Sequence, residues 1–245
     1  MILTAHQPVY LPWLGLLHKI ALADEFCVFD VAQYQTKDYN NRNRIKTPNG
    51  EIWLSVPVES KDHFSKKVGT IKIINNGWNR KHFKSIAMAY QKAPFLKDYI
   101  SELEAILMER EYELLAELNF EILSFLLKAF SIERPIKIAS EYSLEGAKSD
   151  LVLDMCVKLK ATTYIFGEQG RNYADVASFE KNGVSALFQK YKHPEYKQLH
   201  GPFVPYMSAI DLLFNEGPKA KEILFNGNIK SVEDEGVAEW RPLLA

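Results

Sequence analysis

The chain has 245 residues, 47% of them hydrophobic and 25% charged, with 30 Lys plus Arg set against 31 Asp plus Glu. This balance excludes wholesale disorder, collagen-like repeats and coiled coil. A net charge of −1 gives no ground for bulk nucleic-acid or membrane binding.

Cys27 and Cys156 are too few for a disulfide framework or a structural zinc site. No run reaches the roughly 18–20 apolar residues of a membrane span. The opening Met1-Ile2-Leu3-Thr4-Ala5-His6-Gln7-Pro8 lacks the basic start of a signal peptide, so a cytoplasmic protein is expected. Charge is unevenly spread. Between Lys37 and Lys92 there are twelve basic and four acidic residues, a net +8 suited to a phosphorylated ligand.

In chain order, Met1 to Ala5 reads as a buried strand, Leu14 to Ala23 as a helix and Glu25 to Asp30 as a second strand. Strand, helix and strand within about 30 residues make a βαβ unit. Arg42 to Thr47 and Glu51 to Val58 flank Pro48-Asn49-Gly50, a hairpin signal. Thr70 to Ile74 reads as a strand, and Asn76-Gly77-Trp78 opens a helix to about Tyr90. From 94 to 130 the i, i+3, i+4 spacing of Leu103, Ile106 and Leu107, then of Leu115, Leu118 and Ile122, gives a helical insertion of two helices. Pro135 to Ala139, Thr162 to Phe166 and Val184 to Phe188 read as strands. A helix capped by Ser149 runs to Lys160, and another covers Ser208 to Asn215. The expected fold is one α/β domain, Rossmann-like, with a mostly parallel sheet, a β-hairpin and a helical insertion.

Ligands of such sheets bind outside the carboxyl ends of the strands. The residues at those ends are His6 and Gln7, then Asp30, then Glu168-Gln169-Gly170 with Tyr173 beyond, and finally Gln189, Tyr191 and His193. All but Gly170 donate or accept hydrogen bonds. His6 suits acid–base work. Asp30 and Glu168 suit orienting an amine or hydroxyl, and Gln7 and Gln169 fixing a donor. Tyr10 and Trp13 offer rings to stack on a base or sugar. Lys19 lies one turn into the first helix. Asn41-Arg42-Asn43-Arg44-Ile45-Lys46 alternates so that Arg42, Arg44 and Lys46 share one strand face, where they could hold phosphate. No dinucleotide fingerprint, P-loop, HExxH or GxSxG is present, and nothing names a cofactor or a metal. Cys27 falls inside a buried strand, which argues against a nucleophile.

His6-Gln7-Pro8, Tyr10-Leu11-Pro12-Trp13-Leu14-Gly15, Lys19-Ile20 and Asn41-Arg42-Asn43-Arg44-Ile45-Lys46 resemble the WbqC-like family. The resemblance continues through Trp53 to Val58, Trp78, Tyr90 to Pro94, Tyr164 to Tyr173, Phe188 to Pro194 and Ser208 to Gly217. It departs at Glu168-Gln169, in a loop usually of smaller residues, and at Met207, where Leu is expected.

Members tend to belong to bacterial surface-polysaccharide (O-antigen) clusters. The resemblance therefore implies a setting in such a pathway, and with the polar strand exits and the basic window the expected function is a transferase or ligase acting on a nucleotide-linked sugar, for example acylating or aminoacylating an amino sugar. The start of the chain is also distantly similar to nucleotidyltransferase-like folds, including the bacillithiol cysteine-adding enzymes. A non-catalytic nucleotide-sugar binder and an RNA-binding protein are the alternatives, the latter disfavoured by the neutral net charge.

Overall fold

The computed structural model describes residues 1–59, 61 and 66–242. Five strands form one all-parallel sheet: β1 (Ile2–His6), β2 (Glu25–Val28), β5 (Ile136–Ile138), β6 (Thr163–Phe166) and β7 (Ser185–Phe188). Their order is β5-β2-β1-β6-β7. The chain steps outward from β1 to β2 and β5, then crosses back to β6 and β7, as in a doubly wound sheet. The order reverses between β1 and β6. The hairpin β3 (Arg42–Thr47) and β4 (Gly50–Ser55) stands as a separate antiparallel pair.

Side-chain alternation divides the core. Phe26 and Val28 of β2 pack with α1 (Leu14–Leu22) and α4 (Leu115–Ala129) on one face. Leu3, Ala5 and Cys27 pack on the other with α5 (Ser149–Lys158) and α6 (Val176–Lys181). Two faces covered by helices explain why these strands are short apolar runs. Each fully buried Leu or Ile, such as Leu17 and Ile20, contributes about 1.5–3 kcal/mol.

The insertion holds α3 (Leu96–Glu104), a π-helical turn over Ala105–Glu109, and α4. Helix α2 (Trp78–Ala89) precedes it, and α7 (Ala209–Glu216) and α8 (Ala220–Leu224) follow the sheet. Among the described residues, no helix is long and apolar enough to cross a membrane.

Two local expectations fail for identifiable reasons. Thr70 to Ile74 is no strand. Val68–Thr70 is a 3₁₀ turn, after which Lys72 and Ile73 make only isolated bridges, to Leu114 and Val58. Segments on two sides take single pairings, so no ladder extends. Ser149 does not cap α5, because Lys148 occupies the cap position. The Ser149 hydroxyl instead accepts the main-chain N–H of Asp175 at 2.9 Å, tying α5 to the start of α6.

Candidate functional site

The sheet divides where its strand order reverses. Strand β1 pairs with β6 only from Ile2↔Thr163 to Thr4↔Ile165. Beyond that, β1 stays with β2 through His6↔Val28, and β6 stays with β7 through Phe166↔Phe188. A fork therefore opens at the carboxyl ends of β1 and β6, the place where ligands of doubly wound folds bind.

The ammonium of Lys19 sits in this fork. Main-chain carbonyls of β1 alternate: Met1 O accepts from Thr162 and Thr163, whereas Ile2 O and His6 O accept from Asp24 and Phe29 near β2. Ala5 O therefore faces β6. One more ladder bond would bring a β6 N–H onto it, but Lys19 Nζ donates there instead, at 3.0 Å. Lys19 is 3% exposed and has no carboxylate within ion-pair distance among the described residues. Burial pushes its amine down to about 7. The Thr4 hydroxyl donates to Ile165 O across the base of the fork at 2.7 Å.

His6 stands beside it. Its Nδ1–H donates to Gln7 O at 2.9 Å, which fixes the tautomer and leaves the Nε2 lone pair available. Burial first, and then the Lys19 charge, lower His6 to about 4, against the opposing bond to Gln7. The ring is therefore neutral at pH 7. Its Nε2 accepts a hydrogen bond or a proton and does not donate to a phosphoryl oxygen.

Rings connect His6 to the hairpin. Trp13 meets His6 edge-on with centroids 5.3 Å apart, Tyr39 lies 5.3 Å from Trp13, and Trp53 lies 5.8 Å from Tyr39. The Arg42 guanidinium lies over Trp53 at 4.3 Å and that of Arg44 at 5.4 Å. The fork and the basic hairpin thus flank one continuous aromatic wall.

The basic residues of the hairpin differ in what remains for a ligand. Arg44 Nη1 donates to both carboxylate oxygens of Glu51, 2.9 Å to each. Lys46 is buried and donates to Gln198 Oε1 at 3.1 Å and to the carbonyls of Gly201 and Pro202. It therefore secures the loop after β7. Arg42 bonds the Lys37 carbonyl and no carboxylate. Of the expected phosphate holders, only Arg44 meets a carboxylate; Lys19, Arg42 and Lys46 bond neutral oxygens, three of them in the case of Lys46.

The asparagines join segments. Asn43 Nδ2 donates to Leu11 O, and Asn43 Oδ1 accepts Arg44 N. Asn41 Nδ2 donates to Val56 O at 2.8 Å. Asn40 Nδ2 bonds Gln7 Oε1 at 3.2 Å and Pro8 O at 2.9 Å. Tyr10 is fully buried with its hydroxyl on His82 Nδ1, so it has no free face for a ligand; Trp13 does the facing instead.

The remaining strand exits serve unequally. Asp30 Oδ1 accepts Ser140 N at 2.9 Å, pinning the β2 exit to that of β5. Glu168 and Gln169 are exposed on a short 3₁₀ turn. They follow Gly167, which open space faces, since an added Cβ would meet nothing within 4 Å. Gly170 is a packing residue, because a Cβ there would lie 2.6 Å from Phe166. Tyr173 is half exposed beside Phe166. Gln189 binds Gly15 O and His18 Nδ1, and Tyr191 packs against Gly15, so the β7 exit clamps α1.

Sequence reasoning missed Asn119, a polar residue inside the apolar stripe of α4, whose Nδ2 donates to Asn40 O at 2.8 Å. It also missed Asp211, buried and accepting from Tyr90 and Tyr196 at 2.8 and 2.9 Å. No group of three or more His, Cys, Asp or Glu among the described residues is placed to hold a metal ion.

No solved structure matches this chain. Of curated proteins, it is similar to the uncharacterized protein Rv1507c of Mycobacterium tuberculosis (strain ATCC 25618 / H37Rv). The two are 32% identical over 219 residues, covering 89% of this chain and 95% of that one. The model of the WbqC-like protein family matches residues 7–223, a span that begins just after β1 and His6 and takes in Lys19, β6, the aromatic wall and the hairpin. The chain belongs to the WbqC-like protein family.

Proposed function

We propose that the chain is a transferase or ligase of surface-polysaccharide (O-antigen) synthesis that acts on a nucleotide-linked sugar. One observation carries the reading: the Lys19 amine, buried and without a carboxylate partner among the described residues, lies in the strand fork beside a neutral His6. An ammonium in that position suits a phosphoryl or carboxylate oxygen. The neutral imidazole accepts from the attacking hydroxyl or amine. Trp13 and Tyr39 line the way to Arg42, which suits the distal phosphate. Exposed Glu168 and Gln169 follow β6, whose carboxyl end forms one side of the fork.

The test is incubation with nucleotide sugars, with and without ATP and acyl donors, read by mass spectrometry. A sugar product of shifted mass is expected. His6→Ala, checked for folding by circular dichroism, should lower turnover by about 10²-fold or more. Full turnover by that variant removes His6 from the chemistry. A second reading, a non-catalytic nucleotide-sugar binder, draws support from the low basicity of His6. Tight binding with no product under every condition selects it.

A further inference from the structure

Helix α1 starts at the fork and ends at a second cavity, beside the amino ends of the strands, where Asp24 N bonds Ile2 O and Phe26 N bonds Pro135 O. Arg134, Lys221 and Lys230 line this cavity together with Ala21, Ile132 and Phe225, and it has about 340 Å³ of room. That is the size of a small-molecule site. Two of its exposed cations are held in place by main-chain carbonyls. Arg134 Nη2 donates to Ala21 O and Nη1 to Glu133 O, each at 2.8 Å, and Lys221 Nζ donates to Ser131 O at 2.7 Å. Of the five N–H groups of a guanidinium two are so used, and of the three of an ammonium one. No carboxylate among the described residues lies within ion-pair distance of Arg134, Lys221 or Lys230. Asp234, which Lys230 acts on from nearby, turns Oδ2 to the main-chain N–H groups of Lys230 and Ser231.

We propose that this cavity binds a phosphate dianion carried on a small organic group. It is separate from the fork, and binding there does not depend on what the fork does. Helix ends explain part of the arrangement: the last carbonyls of α1 lack helical partners, and Arg134 supplies one of them. They do not explain why three cations gather. Helices α1 and α4 both end here, and each C-terminus carries roughly half a negative charge, which offsets about one of the three positive charges. About two remain, and like charges around one cavity repel each other. A phosphate dianion matches that remainder, and its oxygens accept the N–H groups that the carbonyls leave free. A monocarboxylate matches only half of it. The apolar side chains narrow the rest of the ligand. Phe225, Ile132 and Ala21 offer a face that makes no hydrogen bonds, suited to the carbon skeleton of a sugar or another ring.

The test is calorimetric titration of the full chain at low salt with glucose 1-phosphate, and with glucose as the uncharged control. Submillimolar binding of the phosphate ester and none of glucose is expected. Lys230→Glu and Lys221→Gln should each weaken that binding by about tenfold or more, and thermal melts confirm that both variants fold. An affinity that changes by less than about twofold in both variants overturns the site. If Arg42→Gln abolishes binding while those two leave it unchanged, the ester sits at the hairpin, which overturns this inference and supports the reading of the fork. No binding of glucose 1-phosphate up to millimolar concentration also overturns it. A phosphate monoester on a lipid presents the same chemistry, so co-sedimentation with vesicles of phosphatidylcholine and phosphatidic acid is the remaining arm. No sedimentation is expected, and sedimentation without binding of the soluble ester overturns the small-molecule assignment.

Discussion

At the scale of single residues, Lys19 carries a cost of burial that can be measured. Its folded amine is lowered to about 7, whereas the unfolded side chain titrates near 10.4. The unfolded chain binds more protons between those values, so the native state loses ground as pH falls through the window and bears the whole cost below it. Lys19→Met should therefore raise unfolding free energy by about 2 kcal/mol at pH 7, after the loss of the bond to Ala5 O is allowed for. The gain should shrink toward zero above pH 10, and urea titrations at pH 6, 8 and 10.5 measure it. A variant no more stable than the parent at pH 6 contradicts the burial argument. Spacing put Lys19 in the first helix, but nothing local revealed its burial. That follows from the short distance between α1 and the divided sheet, a tertiary fact. The same holds for Tyr10, whose ring is enclosed because α2 brings His82 onto its hydroxyl.

Among elements, the hairpin and the loop after β1 behave as one body. Tyr10 N bonds Tyr39 O at 3.1 Å, Asn43 reaches Leu11 O, and Ala209 N at the start of α7 bonds Pro12 O at 2.8 Å. Leu11 holds a positive φ of 46°, a strained conformation for a leucine that its surroundings must impose. Asn43→Ala removes the donor to Leu11 O and the acceptor for Arg44 N, and should cost about 2–3 kcal/mol in thermal or denaturant unfolding. A loss below about 0.5 kcal/mol means the strain is held elsewhere.

The alternation of Asn and basic residues marked this segment as special in the sequence. It did not separate ligand-facing side chains from stitching ones, because a strand pattern gives faces and not partners. Lys46 shows the difference. It shares the face of Arg42 and Arg44, yet the loop at 198–202 folds over it.

Across the whole molecule, the β1, β2, β5, then β6, β7 progression leaves its reversal point beside the first strand. Which exits stay open depends on contacts between distant segments, so Asp30 and Gln189 became fasteners while Lys19 and His6 remained at the fork. Acid should unfold the protein early. His6, His18 and His82 are all lowered to about 4, chiefly by burial. Each is neutral when folded and gains a proton when unfolded below about pH 6.5, so stability falls between pH 6.5 and 4 by up to about 3 kcal/mol per ring. Asp211, raised by burial, works in the opposite direction and offsets a part. Melting temperatures followed from pH 7 to 4 should drop steeply, and a flat profile contradicts the burial of these rings.

The three residue pairs that join β1 to β6 connect positions 161 residues apart. A chain growing on the ribosome can assemble β1, α1 and β2 as soon as they emerge, but one edge of its central strand then waits, unpaired, for most of synthesis. Closing so long a loop comes late in folding. Until it closes, the exposed edge invites pairing with other nascent chains.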